Sequence, residues 1–175
     1  MDNGEVYYTQ HERLVVLKFV GQIRYTMGSS YRVSASLDAF LDELFAKKNF
    51  DNILIDLTQT ESIDSTNLGL LARVAKFSQE NLGRQATIIS TNDDINAVLE
   101  SVAFDRVFLI LRDPHDPKSA FETVPDRADR AKELARLILD AHKTLMEIAE
   151  TNQDKFRKVV EILEDQLRAK ETQHD

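Results

Sequence analysis

No cysteine and no tryptophan occur in the sequence, which excludes disulfides, thiolate zinc sites, iron–sulfur clusters and cysteine nucleophiles. The cytoplasm is the expected compartment. The histidines, His11, His115, His142 and His174, show neither His-x-x-x-His nor His-x-x-Glu-His spacing, so no metal site is expected. The glycines, Gly4, Gly21, Gly28, Gly69 and Gly83, form no Walker loop and no dinucleotide fingerprint, so no nucleotide cofactor is signalled. A Gly-x-Ser-x-Gly elbow is missing too, because Ser65 is flanked two positions away by Ile63 and Asn67. Together these gaps argue against an enzyme. No apolar run approaches the ~20 residues that cross a bilayer, and the acidic opening Met1-Asp-Asn-Gly-Glu5 has no signal-peptide pattern. With Lys+Arg 22 against Asp+Glu 30 the net charge is −8, a poor balance for holding a polyanion. Neither nucleic acid nor membrane is an expected partner.

Hydrophobic residues at 42% and charged residues at 30% are the balance of a globular protein, and 175 residues suffice for one domain and an appendage. All three prolines, Pro114, Pro117 and Pro125, fall in one window, so residues 112–125 are read as a linker between residues 1–111 and a helical extension, 126–175.

Before the linker, β-branched runs alternate with stretches of helical period. Val6–Thr9 and Arg13–Gly21 are expected strands joined by a turn at His11-Glu-Arg13. A helix is expected from Ser30 to Lys48, with Val33, Leu37, Phe40, Leu41 and Leu44 on one face, and then a buried strand, Asn52–Leu57. The next helix runs from Ser65 to about Asn81, with Leu68, Leu71, Ala72 and Ala75 on one stripe and Gly83 at its stop. Ala86–Ser90 is a strand, Thr91-Asn-Asp-Asp94 caps a helix to about Val102, and Val107–Leu111 is the last strand. The order ββαβαβαβ predicts an α/β fold with a mainly parallel sheet of four to five strands.

The segment Leu54-Ile-Asp-Leu-Thr-Gln-Thr-Glu-Ser-Ile-Asp64-Ser65-Thr66-Asn67-Leu68-Gly69-Leu-Leu71 stands out. Read from its residues alone, Asp64–Asn67 is helix-capping chemistry, with side chains accepting from the orphan N–H groups of the first turn. Glycine inside a helix costs about 1 kcal/mol relative to alanine, so Gly69 points to a close approach by core or partner.

An apolar strand, Asp-Leu, then Ile-Asp-Ser65-x-x-Leu-Gly-Leu-Leu at a helix start resembles the STAS domain, the sulfate transporter and anti-sigma factor antagonist family, over roughly Glu5 to Leu111. The resemblance implies that Ser65 is a phosphoacceptor, as in the antagonist branch, with Asp64, Thr66, Asn67, Leu68 and Gly69 on the partner-binding surface. Asn67 stands where antagonists usually have glycine. Ser62 and Thr66 are alternative hydroxyls to which the resemblance does not point. It further implies a regulator that is not an enzyme and needs no cofactor of its own. Its expected partners are an anti-sigma factor with a serine-kinase-like ATPase fold, bound when Ser65 is unphosphorylated, and a metal-dependent serine phosphatase.

From Asp126 to about Glu171 the chain is helix-forming without glycine or proline, and one rod of about 46 residues would extend about 69 Å. Ala131, Leu134, Ile138, Ala141, Leu145 and Ile148 step by three and four. Glu150–Asp154 then interrupts before Phe156, Val160, Leu163 and Leu167 resume. A hairpin breaking at Glu150–Asp154, capped by Thr151 with Asp154, is one expectation. Three coverings of the stripe compete: its own domain, self-association through residues 126–171, or a partner helix. Two other functional readings stay open, a fixed scaffold assembling through this helix with Ser65 merely a cap, and a small-ligand or nucleotide-binding regulator using the carboxyl ends of the parallel strands.

Overall fold

A computed structural model describes residues 4–24, 29–113, 120–130 and 132–173; of the residues named above, Met1, Asp2, Asn3, Gly28, Pro114, His115, Pro117, Ala131 and His174 lie outside that set. The opening apolar runs form a hairpin in which β1 (Glu5–His11) pairs antiparallel with β2 (Leu14–Ile23), turning through Glu12 in the left-handed region (φ +54°). Three crossovers follow: α1 (Ser29–Lys47) leads to β3 (Asn52–Ile63), α2 (Ser65–Phe77) to β4 (Ala86–Ile89), and α3 (Asp93–Ser101) to β5 (Phe108–Leu111). Strands β2 to β5 are mutually parallel, and the sheet runs β5-β4-β3-β2-β1-β6.

Each crossover steps in the same direction along the sheet, so right-handed connections put α1, α2 and α3 on one face. The core confirms it. Alternate strand residues Val15, Leu17, Phe19, Ile53, Ile55, Leu57 and Ile88 meet Leu37 and Leu41 of α1, Leu68 and Leu71 of α2, and Ile95 and Leu99 of α3 in one buried cluster. Helix α2 runs on through a π-helical turn, Ser78–Leu82, and ends at Gly83, whose φ of +66° is the left-handed stop that its glycine permits.

Two features of the sheet depart from the sequence reading. The sheet has six strands, because β6 (Glu122–Thr123), inside the segment read as a linker, pairs antiparallel with β1 through Tyr7 and Tyr8. Two residues flanked by aperiodic sequence give no alternation to detect. Strand β3 continues to Ile63 rather than stopping at Leu57, since Thr60, Ser62 and Ile63 pair with Gly21, Gln22 and Ile23 of β2. Of the two expected forms of the carboxy-terminal region the hairpin is found, with its break at Ala149, just before Glu150–Asp154: Ala149 is extended (φ −158°, ψ 152°) and separates α4 (Leu134–Ile148) from α5 (Glu150–Thr172).

These two helices form an antiparallel hairpin, as the Glu133–Lys170 and Lys143–Glu164 ion pairs require. No side chain caps α5, so the expected Thr151 and Asp154 cap is not made. Asn152 holds the corner instead, donating from Nδ2 to the carbonyls of Leu145 and Val102, each at 2.9 Å. Of the three coverings, the first is found: Leu137 and Leu145 of α4 join the main core, while Leu139 on its other side meets Val160 and Leu167 of α5.

Candidate functional site

The extension of β3 delivers the chain directly to the start of α2. Asp64 N–H donates to the carbonyl of Ile23 (3.1 Å), fixing the strand end, and the Asp64 carboxylate then caps the helix by accepting from Asn67 N–H at 3.0 Å. The cap of α2 is therefore Asp64, and Ser65 is its first helical residue. Asn67 is fully buried and has every side-chain group engaged: Nδ2 donates to Asp64 Oδ1 (2.9 Å), and its own Oδ1 accepts from Ser34 Oγ of α1 (3.0 Å). Asparagine here clamps the cap to the neighbouring helix, a role glycine could not fill.

Ser65 Oγ lies 2.9 Å from His142 Nε2, and His142 Nδ1 lies 2.7 Å from the carbonyl of Ile138. A carbonyl only accepts, so Nδ1 carries hydrogen; in the neutral ring Nε2 then accepts the Ser65 hydroxyl. The imidazole is buried, with the ring of Phe156 from α5 edge-on at 5.5 Å. One turn along, a Cβ built on Gly69 would stand 2.3 Å from the carbonyl oxygen of Ala141 and 2.6 Å from its Cβ. The close approach that Gly69 implied is thus made by the backbone of α4.

Helix α4 is fastened beyond these two points. Lys76 of α2 pairs with Glu147 at 2.6 Å, and the carboxylate accepting its hydrogen bond holds the Lys76 ammonium above the ordinary lysine range. Buried Asp38 of α1 pairs with Arg73 of α2 and lies 3.5 Å from Lys132, just before α4. Burial pushes the Asp38 carboxyl up, and the charges of Arg73 and Lys132 only partly offset it.

The structure brings all the sequence-selected residues together but not on an open surface. Asp64 and Ser65 are half-buried, and Thr66, Asn67, Leu68 and Gly69 are buried. The Ser65 hydroxyl lies against α4, because the helix stripe of residues 134–148 packs there. His142 and Ala141 are the functional neighbours that the sequence reading missed: His142 was considered only for metal spacing, and Gly69 signalled a close approach without naming its source. Among the described residues no group of three or more His, Asp or Glu converges as a metal site, and no helix is long and apolar enough to cross a membrane.

Comparison with known proteins gives this geometry a context. A curated protein of Thermotoga neapolitana, "Putative anti-sigma factor antagonist TM1081 homolog", is 33% identical over 66 residues, which are 38% of this chain and 58% of that protein. The chain thus spans little more than half the length of that relative. A solved structure, that of the anti-sigma factor antagonist SpoIIAA in its unphosphorylated form, superposes with a TM-score of 0.49 at 11% identity, covering 62% of this chain and 87% of that one. The STAS domain family matches residues 6–120, a span that starts in β1 and ends just short of β6. By that match the chain belongs to the STAS domain family, and the α4–α5 hairpin lies beyond the matched residues.

Proposed function

We propose that the protein is a cytoplasmic regulator of the anti-sigma factor antagonist kind, acting by partner switching and not by catalysis. Unphosphorylated at Ser65, it binds an anti-sigma factor of serine-kinase-like ATPase fold. Phosphorylation of Ser65 by that kinase separates the pair, and a metal-dependent serine phosphatase restores binding. The observation that carries this reading is the division of labour at the start of α2: Asp64 makes the cap, and the Ser65 hydroxyl beside it points instead to a neighbouring helix.

The electrostatics support the direction of the switch. A phosphoryl group adds about −1.5 to −2 charges at one point. The dipole at the amino-terminal end of α2 tolerates that anion. A docked partner would have to desolvate it beside the Asp64 and Glu61 carboxylates. The test compares wild type, Ser65→Ala and Ser65→Glu for capture and affinity of a kinase-fold partner from the native host. Wild type and Ser65→Ala bind, and Ser65→Glu binds roughly a hundredfold more weakly, since an unpaired like charge at an interface costs several kcal/mol. Equal affinity for all three removes the switch.

A second reading, a fixed scaffold assembling through the carboxy-terminal helices, rests on Val159 and Ile162 of α5, which stay 39% and 48% exposed one turn apart. Sedimentation of the full chain as a monomer would remove it.

A further inference from the structure

The hydrogen bond that engages the Ser65 hydroxyl comes from α4, outside the residues matched by the family. We infer that α4 is a built-in occupant of the face on which Ser65 stands, and that hairpin docking and modification of Ser65 exclude one another. The inference rests on the reading of Ser65 as the modified residue and adds a regulator to it, the chain's own carboxy-terminal hairpin.

Three observations carry the argument. At the start of α2 the Ser65 hydroxyl is already in hydrogen-bond contact with the buried ring of His142 (2.9 Å). Transfer of the γ-phosphoryl group of ATP to Oγ, with loss of the hydroxyl proton and release of ADP, would insert a phosphorus and three oxygens where the ring now sits. In the neutral ring, with Nδ1 donating to the Ile138 carbonyl, they would also face Nε2 as an acceptor nitrogen. In mid-helix the Gly69 to Ala141 approach leaves no room for a layer of side chains, so nothing can slide between α2 and α4. Leu137 and Leu145 of α4 are inserted in the main core, and α4 therefore leaves as a whole or stays.

The present occupant also describes its competitor. A partner helix that takes the place of α4 must present a small residue opposite Gly69, apolar side chains where Leu137 and Leu145 lie, and an acceptor for the Ser65 hydroxyl. Phosphorylation requires the hairpin to be away and then keeps it away.

The absence of native cysteine allows a direct test on the full chain. Ser65→Cys introduces a single, nearly isosteric thiol, and Glu161→Cys on the exposed side of α5 provides a reference. Both are treated with 2-sulfonatoethyl methanethiosulfonate, which leaves an anionic disulfide adduct on the thiol and releases methanesulfinate. The thiol at position 65 is expected to react at least roughly tenfold more slowly than the reference. Once labelled, the α4 amides should exchange hydrogen roughly tenfold faster or more while β3 stays protected. Gly69→Ala, which pushes α4 away without touching position 65, should accelerate the labelling. Equal labelling rates at the two positions, unchanged α4 protection after labelling, or no acceleration by Gly69→Ala would each overturn the inference. No kinase or anti-sigma factor takes part, so a failure here is separate from a failure of Ser65→Glu to release a partner.

Discussion

Helix α4 has two neighbours, and the two contacts are built differently. Toward α2 and the sheet it sends Leu137 and Leu145 into the main core, brings its backbone against Gly69 and buries His142 against Ser65. Toward α5 it offers a narrow seam of Leu139, Val160 and Leu167, laced by the exposed pairs Glu133–Lys170 and Lys143–Glu164. Core leucines contribute kilocalories each, whereas exposed ion pairs contribute little and are screened by salt. The difference teaches where the molecule gives way: α5 loosens before α4, and α4 before the sheet, an order set by burial and not by the number of contacts drawn.

The largest expected effect breaks the strong side. Leu145→Ala should cost about 2–5 kcal/mol in chemical denaturation, with loss of hydrogen-exchange protection along α4. Val160→Ala on the seam should fall at or below the lower end of that range and loosen α5 alone. Next, Gly69→Ala should destabilise by about 1–3 kcal/mol through overpacking against Ala141, although alanine is the better helix former by about 1 kcal/mol. A neutral or stabilising result would show that α4 is not held at the distance described.

The third effect separates two adjacent residues. Asp64→Ala removes the cap of α2 and a partner of buried Asn67, and should cost about 1–2 kcal/mol. Ser65→Ala removes one hydrogen bond to His142 and should cost about 0.5–1.5 kcal/mol, with the end of α2 still protected from exchange. Fraying of α2 in Ser65→Ala would return Ser65 to the role of a cap.

The smallest effect is the response to acid. Hydrogen bonds from Lys170 and Lys143 hold the Glu133 and Glu164 carboxyls below the ordinary glutamate value. Their contribution is present above that ordinary value and is lost as pH falls through the depressed ones, so exchange in α5 should rise first on acidification. Asp38 acts oppositely. Its raised folded value means that its ionised form weakens the fold as pH climbs from the ordinary aspartate value through the raised one, and that this penalty is absent at lower pH. Asp38→Asn should remove that slope while leaving the response of α5 intact, as pH-dependent denaturation midpoints would show.

Much of the framework was legible because it is local. The β-branched runs at Leu14–Val20 and Ile53–Leu57 and the stripes of α1 and α2 carry their own periods, and Gly83 marks its own stop. What was illegible depends on distant chain. The polar end of β3 is a strand only because Gly21–Ile23 pair with it. The break of the tail near Glu150 showed in the interrupted stripe, but what holds the corner did not, because Asn152 bonds to Val102, 50 residues away. At the site, capping somewhere in Asp64–Asn67 followed from the run's position before an apolar helix, but that Asp64 and not Ser65 makes the cap did not. The contact between Ser65 and His142 spans 77 residues and leaves no local trace.

The most direct measurement of the central claim is phosphosite mapping of the protein isolated from its host, with partner-bound and partner-free pools separated under native conditions. Phosphate on Ser65 in the free pool and its absence from the bound pool is the expected result. Equal phosphorylation of both pools, or a Ser65 that is unmodified in both, would contradict the account.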